Sequence, residues 1–192
     1  MASFIDVFLW SSIPLLLALK LYNKIKTRPC TSTKRMDGKT VIVTGSNTGI
    51  GKETARDLAR RGAKVIMACR DLKKAKEACD DIVASTRNTN VHVHHLDLSS
   101  FDSVRAFAKN IIETEPRLDV LINNAGVGET KKYITSDNLE LGIQVNHLGP
   151  FLLTCLLLDL LKKSAPSRIV MVSSWMHKLA IIDFNNFNAE KQ

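Results

Sequence analysis

The sequence predicts an α/β fold, a doubly wound parallel sheet, preceded by an N-terminal apolar helix. From residue 38 onward, short apolar runs alternate with stretches of helical periodicity. That alternation builds parallel strands joined by helices on both faces of a sheet. The first run, Val41-Ile42-Val43, passes through Gly45, Gly49 and Gly51 directly into a helical stretch, a turn that needs the backbone freedom of glycine. Polar residues collect where the runs end, and ligands of doubly wound sheets bind beyond the carboxyl ends of the strands.

The chain has 192 residues, 45% of them apolar and 24% charged, an ordinary composition for one globular domain. Phe4 to Leu21 is predominantly apolar around Leu15-Leu16-Leu17-Ala18-Leu19. Such a helix spans about 27 Å, close to the ~30 Å hydrocarbon core of a bilayer. Asp6 and Lys20 lie near its ends, and Pro14 is tolerable in a membrane helix. A cleaved signal peptide competes with this reading, but no Lys or Arg precedes the run and no clear small-x-small site follows it. A helix lying on the membrane surface fits poorly with the all-round apolar centre. The expected organisation is a transmembrane anchor over 1–21, a basic linker over 22–37 and a nucleotide-binding domain over 38–192. Residues 1–36 hold Lys20, Lys24, Lys26, Arg28, Lys34 and Arg35 against Asp6 alone, so most of the formal charge of +8 sits in one short segment. That pattern points to a membrane flank, with membrane lipid as partner, and away from a nucleic-acid-binding face. The positive-inside rule then places the domain in the cytosol. Cys30, Cys69, Cys79 and Cys155 show no paired spacing, which reads as reduced thiols.

The first strand is expected near Thr40–Thr44, and its helix from Ile50 to Arg61 ends at Gly62. A strand over Lys64–Cys69 precedes a helix from Leu72 to about Ala84, with Ala75, Ala78 and Ile82 on one side. Val91–Leu96 is the third strand. Ser100 caps a helix that carries Phe101, Val104, Phe107, Ala108, Ile111 and Ile112 at helical spacing and closes at Pro116. Val120-Leu121-Ile122 is the fourth strand. A long helix is expected from Asn138 to Lys163 with a kink at Pro150, and Arg168–Ser173 is the fifth strand.

The strand ends select the candidate chemistry. In Gly45-Ser46-Asn47-Thr48-Gly49-Ile50-Gly51, exposed N–H groups and a helix N-terminus favour a phosphate, although the spacing departs from G-x-G-x-x-G. An NAD site places an acid at the end of the second strand, about 20 residues further on. Here Cys69 and Arg70 stand instead, and Arg70 can pair with a 2′-phosphate, which favours NADP(H) over NAD(H). The alternative is a solvated Arg70 beside Asp71. Asp97 can orient an adenine or bond the local backbone. Asn124 and Gly126 either bring backbone close to the cofactor or form a tight turn. Asn146, inside a helix, needs a polar partner and is either a site residue or a satisfied core amide. Ser173 and Ser174 can hold a carbonyl oxygen or cap a turn. His92, His94 and His95 lack a fourth ligand at metal spacing, which favours packing or solvation. No Ser-His-Asp or metalloprotease motif is present.

Together, Thr44-Gly45-x-x-x-Gly49-Ile50-Gly51, Asp97, Asn123-Asn124-Ala125-Gly126, Asn146 and Ser174 resemble the classical short-chain dehydrogenase/reductase family. Gly51-Lys52-Glu53-Thr54-Ala55, Ala68-Cys69-Arg70-Asp71, Val145-Asn146-His147-Leu148-Gly149 and Val172-Ser173-Ser174 resemble its membrane-anchored retinol dehydrogenases. The resemblance covers about residues 38–192 and implies a Rossmann-like fold. It implies a cofactor site over Gly45, Ser46, Asn47, Thr48, Gly49, Ile50 and Gly51, with Gly45, Gly49 and Gly51 facing the pyrophosphate and Arg70 reading the NADP 2′-phosphate. Asp97 would lie beside the adenine, Leu98 would belong to the cofactor site, and Asn124, Ala125 and Gly126 would line the cleft. Ser174 would bond the substrate oxygen and Asn146 would help hold a proton-relay water. The implied reaction is hydride transfer with retinol, retinal or another lipophilic alcohol or aldehyde. The implied location is the endoplasmic reticulum membrane.

The family's proton donor is a Tyr followed four residues later by a Lys, one helical face presenting both. Only 18 residues follow Ser174 and none is Tyr, while Tyr22 and Tyr133 lie far upstream. The expectation is therefore an incomplete family member with little or no turnover, its Ile169–Val172 strand and Trp175, Met176, Ile181, Ile182, Phe184 and Phe187 left uncovered. A membrane-tethered, non-catalytic nucleotide-binding or interaction module is the alternative. A relative acting on a steroid or other lipid is another.

Overall fold

The computed structural model describes residues 14, 16–22, 30–128, 133–178, 183–186 and 188. The chain divides into two compact units, Met1–Lys34 and Arg35–Gln192. In the first, residues 16–22 are helical. Most of the expected anchor lies outside the described residues, as do Ile181, Ile182 and Phe187.

The second unit carries the sheet. Strands β1 (Thr40–Thr44), β2 (Lys64–Cys69), β3 (Val91–His95), β4 (Val120–Asn123) and β5 (Arg168–Met171) stand in the order β3-β2-β1-β4-β5, all neighbours parallel. The order reverses at β1, where one crossover goes to β2 and the other to β4, so the crevice of a doubly wound sheet opens between those two connections.

Alternate side chains of each strand point to opposite faces. Val41 and Val43 join Val65 and Met67 against helices α1 (Gly49–Arg60) and α2 (Leu72–Thr86). Ile42, Ile66 and Leu121 meet helices α3 (Phe101–Thr114) and α4 (Gly149–Lys163) on the other face. Helix α1 approaches the sheet through small residues, Ala55 and Ala59, both buried. Gly62, at φ +90°, ends it as expected. Ser100 caps α3 by accepting from Ser103 N–H at 3.3 Å.

The long helix differs from expectation. Asn138 lies in a turn at φ +59°, outside it. One helical turn, Leu141–Ile143, runs into a π-helical segment, Gln144–Leu148, and only then into α4. Pro150 sits in the first turn of α4, where its missing N–H costs little. The break falls ahead of the proline because Pro150 has no N–H to offer Asn146, and the turn opens so that Gly149 N–H reaches back to Gln144 O. Leu141–Lys163 is also the one helix among the described residues long and apolar enough to cross a membrane, with a mean hydropathy of 1.5. Its Leu153, Leu157 and Leu161 are buried in the core against α3.

Two buried carboxylates stitch the end of the sheet where the strands begin. Asp119, 3% exposed, accepts from Lys39 Nζ at 2.9 Å, Arg117 Nε at 2.7 Å and Thr40 N–H at 3.0 Å. Glu115 accepts from Lys64 Nζ at 2.7 Å on both oxygens. At the sheet edge, Ile169, Val170, Met171 and Val172 are between 40% and 53% exposed, and Trp175, Met176 and Phe184 are more so.

Candidate active site

The crevice is built by the loops that follow β1, β2, β3 and β4. Thr44, the last residue of β1, is polar and fully buried. Its Oγ1 accepts from Asn124 N–H at 3.0 Å and Ala125 N–H at 2.9 Å. In return, Asn124 Nδ2 donates to Thr44 O at 2.9 Å and Gly45 O at 3.2 Å. These four bonds lock the glycine turn to the turn after β4. Gly45, at φ +64°, leaves no room for a side chain, since a Cβ there would lie 2.8 Å from Ala125 Cα. Gly49, at φ +55°, instead faces open space.

The N-terminus of α1 is left open by its own sequence. Thr48 occupies the N-cap position without a side-chain cap bond, and the first turn holds no acid. Its N–H groups and the helix dipole therefore remain available to an anion. Beside the turn that leads into α1 lies a cleft of about 210 Å³, lined by Gly45 and Asn47 of that turn but by neither Thr48 nor any residue of α1. Of the residues expected at a cofactor, Gly45, Asn47, Arg70, Asp97, Leu98, Ala125 and Gly126 line it. Arg70 is exposed and forms no side-chain hydrogen bond or ion pair among the described residues. Lys74, which sequence reasoning missed, also lines the cleft. It lies one turn into α2 from Asp71, whose carboxylate accepts from Lys74 N–H at 3.0 Å and lies 3.6 Å from its ammonium. That backbone bond, with the nearby charge, holds the Asp71 carboxyl below its usual range.

Asp97 makes the local backbone bond of its two expected roles. It lines the cleft, and its Oδ1 accepts from Ser99 N–H at 2.9 Å and Ser99 Oγ at 2.6 Å.

Other expected residues serve the scaffold. Ser46 is buried, with Oγ donating to Val43 O at 3.0 Å and lying 3.5 Å from Cys69 Sγ. Ile50 is 72% exposed and lies outside the cleft lining. Gly51 and Asn124 form the joint between the two turns rather than a ligand surface.

Asn146 is neither a core amide nor free. It is exposed on the π-helical segment, where Oδ1 accepts from Val127 N–H at 2.8 Å and Nδ2 donates to Val127 O at 2.9 Å. Both atoms thus hold the loop after β4, and Gly126 fits beneath because a Cβ there would come within 3.3 Å of Asn146 Oδ1. The π turn is itself anchored. Gln144, fully buried, pairs with Thr135 Oγ1 and donates from Nε2 to Asp137 Oδ2, which also accepts from Phe101 N–H at 2.8 Å at the start of α3. Ser174 lies outside the cleft lining. Its hydroxyl accepts from Met176 N–H at 3.2 Å, the turn-capping alternative for this residue.

His94 packs edge-on against Phe107, with ring centroids 6.3 Å apart, and His92 bonds Asn90 Oδ1 at 3.1 Å. Burial, then the nearby Lys64, lowers the His92 pKa.

The short chain dehydrogenase family model matches residues 39–192. Human Retinol dehydrogenase 13 is 53% identical over 171 residues, covering 89% of this chain and 52% of that protein. Human Retinol dehydrogenase 11 is 56% identical over 162 residues, 84% of this chain and 51% of that protein. The chain therefore spans about half the length of the curated relatives it matches. Among solved structures, one from Mycobacterium paratuberculosis superposes with a TM-score of 0.71 at 40% identity, covering 83% of this chain and 55% of that one. A metagenomic short-chain oxidoreductase in complex with NADP superposes with a TM-score of 0.62 at 32% identity, covering 70% of this chain and 60% of that one.

Proposed function

The chain belongs to the short chain dehydrogenase family, and from that premise we propose that it binds NADP(H) in the crevice above β1 as part of an oxidoreductase for lipophilic alcohols or aldehydes such as retinoids. The single observation that carries the cofactor reading is the uncapped N-terminus of α1 at the end of a turn, Gly45 to Asn47, that shares a cleft with Arg70, whose side chain has no partner among the described residues. A pyrophosphate suits the free N–H groups of the first turn and the space above Gly49. A 2′-phosphate suits Arg70, with Asn47 and Lys74 also in the cleft lining. When bound, the nicotinamide supplies the hydride chemistry. The likeness to a structure in complex with NADP supports the preference over NAD. The retinoid reading rests on the names of the relatives.

The chain's own residues supply positioning. Asn146 holds the Val127 backbone, and through it Gly126, against the cleft. Proton transfer at the substrate oxygen would need a group poised to give or take a proton. Tyr22 and Tyr133 are the only tyrosines in the sequence, and Ser174 Oγ is engaged by Met176 N–H. Residues 1–192 are therefore proposed to supply the cofactor-binding part of that activity. We further propose that residues 1–21 anchor the chain in the endoplasmic reticulum membrane, that 22–37 form a basic linker and that 38–192 face the cytosol.

The test is a titration of the full chain, in lipid nanodiscs, with NADPH and NADH followed by cofactor fluorescence. Saturable binding that is tighter for NADPH is expected. Absence of saturation with either cofactor would overturn the reading, and robust reduction of retinaldehyde by residues 1–192 would overturn the expectation of little turnover.

A further inference from the structure

We propose that the end of the sheet opposite the cleft is a docking surface for anionic phospholipid headgroups. This rests on the reading of residues 1–21 as a membrane anchor. In a parallel doubly wound sheet, strands begin and helices finish at that end. Hydrogen bonds collect its residues. Arg35 Nη1 donates to Arg60 O at 3.4 Å, and Asn88 Nδ2, beside Arg87, donates to Ala63 O at 2.9 Å. Leu118 N–H donates to Ser164 Oγ, beside Lys163, at 2.9 Å, and Arg168 N–H donates to Asp119 O at 2.8 Å.

The charge at this end is predominantly positive. Arg35, Arg60, Arg87, Lys162, Lys163 and Arg168 are all exposed. The acids near them are engaged: Asp119 and Glu115 are buried in ion pairs, Asp37 lies 2.6 Å from Arg35, and Asp57 and Asp159 face Arg61 and Lys162. Arg87, Lys163 and Arg168 have no side-chain partner among the described residues.

Cations at helix C-termini complement the helix dipole, which accounts for Arg60, Lys162 and Lys163 without any partner. It does not account for Arg168, which opens a strand, nor for the entry of the chain. The folded unit starts here, with Met36 N–H donating to Arg61 O at 2.8 Å. Directly before it in sequence stand Lys20, Lys24, Lys26, Arg28 and Lys34, next to the apolar run. The folded unit thus joins the basic segment at its own cationic end, and basic residues of both are attracted to anionic lipid. The cleft, at the other end of the strands, then faces water and dissolved cofactor.

The experiment uses the full chain in phosphatidylcholine nanodiscs with and without phosphatidylserine. In a background with Cys30→Ser and Cys155→Ser, one fluorophore is attached through Thr89→Cys at the basic end, or through Lys73→Cys near the cleft. Quenching is read against lipids spin-labelled at the headgroup. With phosphatidylserine, the Thr89 probe is expected to be quenched severalfold more than the Lys73 probe, less so in high salt. The combined Arg87→Glu, Lys163→Glu and Arg168→Glu variant should lose that difference while keeping its melting temperature and NADPH binding. Equal quenching at both ends, or quenching indifferent to phosphatidylserine, overturns the proposal. If carbonate strips the chain from the membrane, the anchor reading fails and this one with it; retention without quenching at Thr89 overturns the docking surface alone.

Discussion

A Cβ built on Gly51 would lie 2.4 Å from Asn124 Nδ2, the amide that joins the turn after β4 to the turn after β1. Gly51 is thus spaced for the neighbouring loop, whereas Gly49 faces open space. Gly51→Ala is expected to force the two turns apart, costing about 1–3 kcal/mol of stability as overpacking does and weakening NADPH binding. Thermal unfolding and cofactor titration of the variant check both, and an unchanged melting temperature would refute the joint.

Arg70 should decide between cofactors. Arg70→Ala removes charge-assisted bonds worth about 1.5–3 kcal/mol, so NADPH affinity should fall about tenfold to a hundredfold while NADH affinity stays nearly constant. Parallel titrations with the two cofactors read the difference. An equal loss for both would mean that Arg70 does not face the 2′-phosphate.

Asp119 should make stability depend on acid. Burial pushes its carboxyl up, but the hydrogen bonds from Arg117, Lys39 and Thr40 N–H outweigh it and hold the folded value at about 2. The unfolded value is about 3.9, so the contribution is full above that pH and disappears as pH falls toward 2. Asp119→Asn should therefore lower stability at neutral pH by about 2–3 kcal/mol and flatten its fall between pH 5 and 2. Denaturant melts of both proteins across that range provide the check.

Gln144→Leu leaves Thr135 Oγ1 and Asp137 Oδ2 short of a buried partner. A loss of about 1–3 kcal/mol is expected, together with faster exchange of the amide protons over 144–148, measured by hydrogen–deuterium exchange. Wild-type protection there in the variant would show that the π turn stands without its buried amide.

The exposed apolar strand β5 should drive self-association. Val170→Lys, a charge placed on an open edge, is expected to reduce concentration-dependent scattering with a small change in melting temperature. Dynamic light scattering over a dilution series distinguishes the two proteins.

Much of the fold can be read from the sequence because its signals are local. Strand bounds at Thr40–Thr44 and Lys64–Cys69 follow from apolar runs stopped by polar or glycine residues, and Ser100 announces the helix after it. The break near Pro150 is only half legible. Proline indicates trouble in a helix, but where the turn opens depends on Gly149 lying against Leu98 O, where a Cβ would come within 2.7 Å. In the cleft, residues that touch the void through backbone or long side chains, such as Gly45 and Arg70, are readable from motif and position. Thr44 is less so, because its value lies in two backbone N–H groups from a loop about 80 residues away. Its place at the head of the glycine motif, directly after Val41-Ile42-Val43, is the available signal. Lys74 escaped because an exposed lysine in a helix first turn has nothing in its sequence neighbourhood to set it apart.

The π-helical segment also sets the angular phase of everything before it. One residue more per turn rotates the upstream helix by about 100° relative to an uninterrupted α-helix. Removing a single residue from 144–148 would change that phase and carry Asn146 around the axis, away from Val127. Length, as much as residue identity, is therefore constrained in these five positions: substitutions of the exposed His147 should pass, while one-residue insertions or deletions beside it should not.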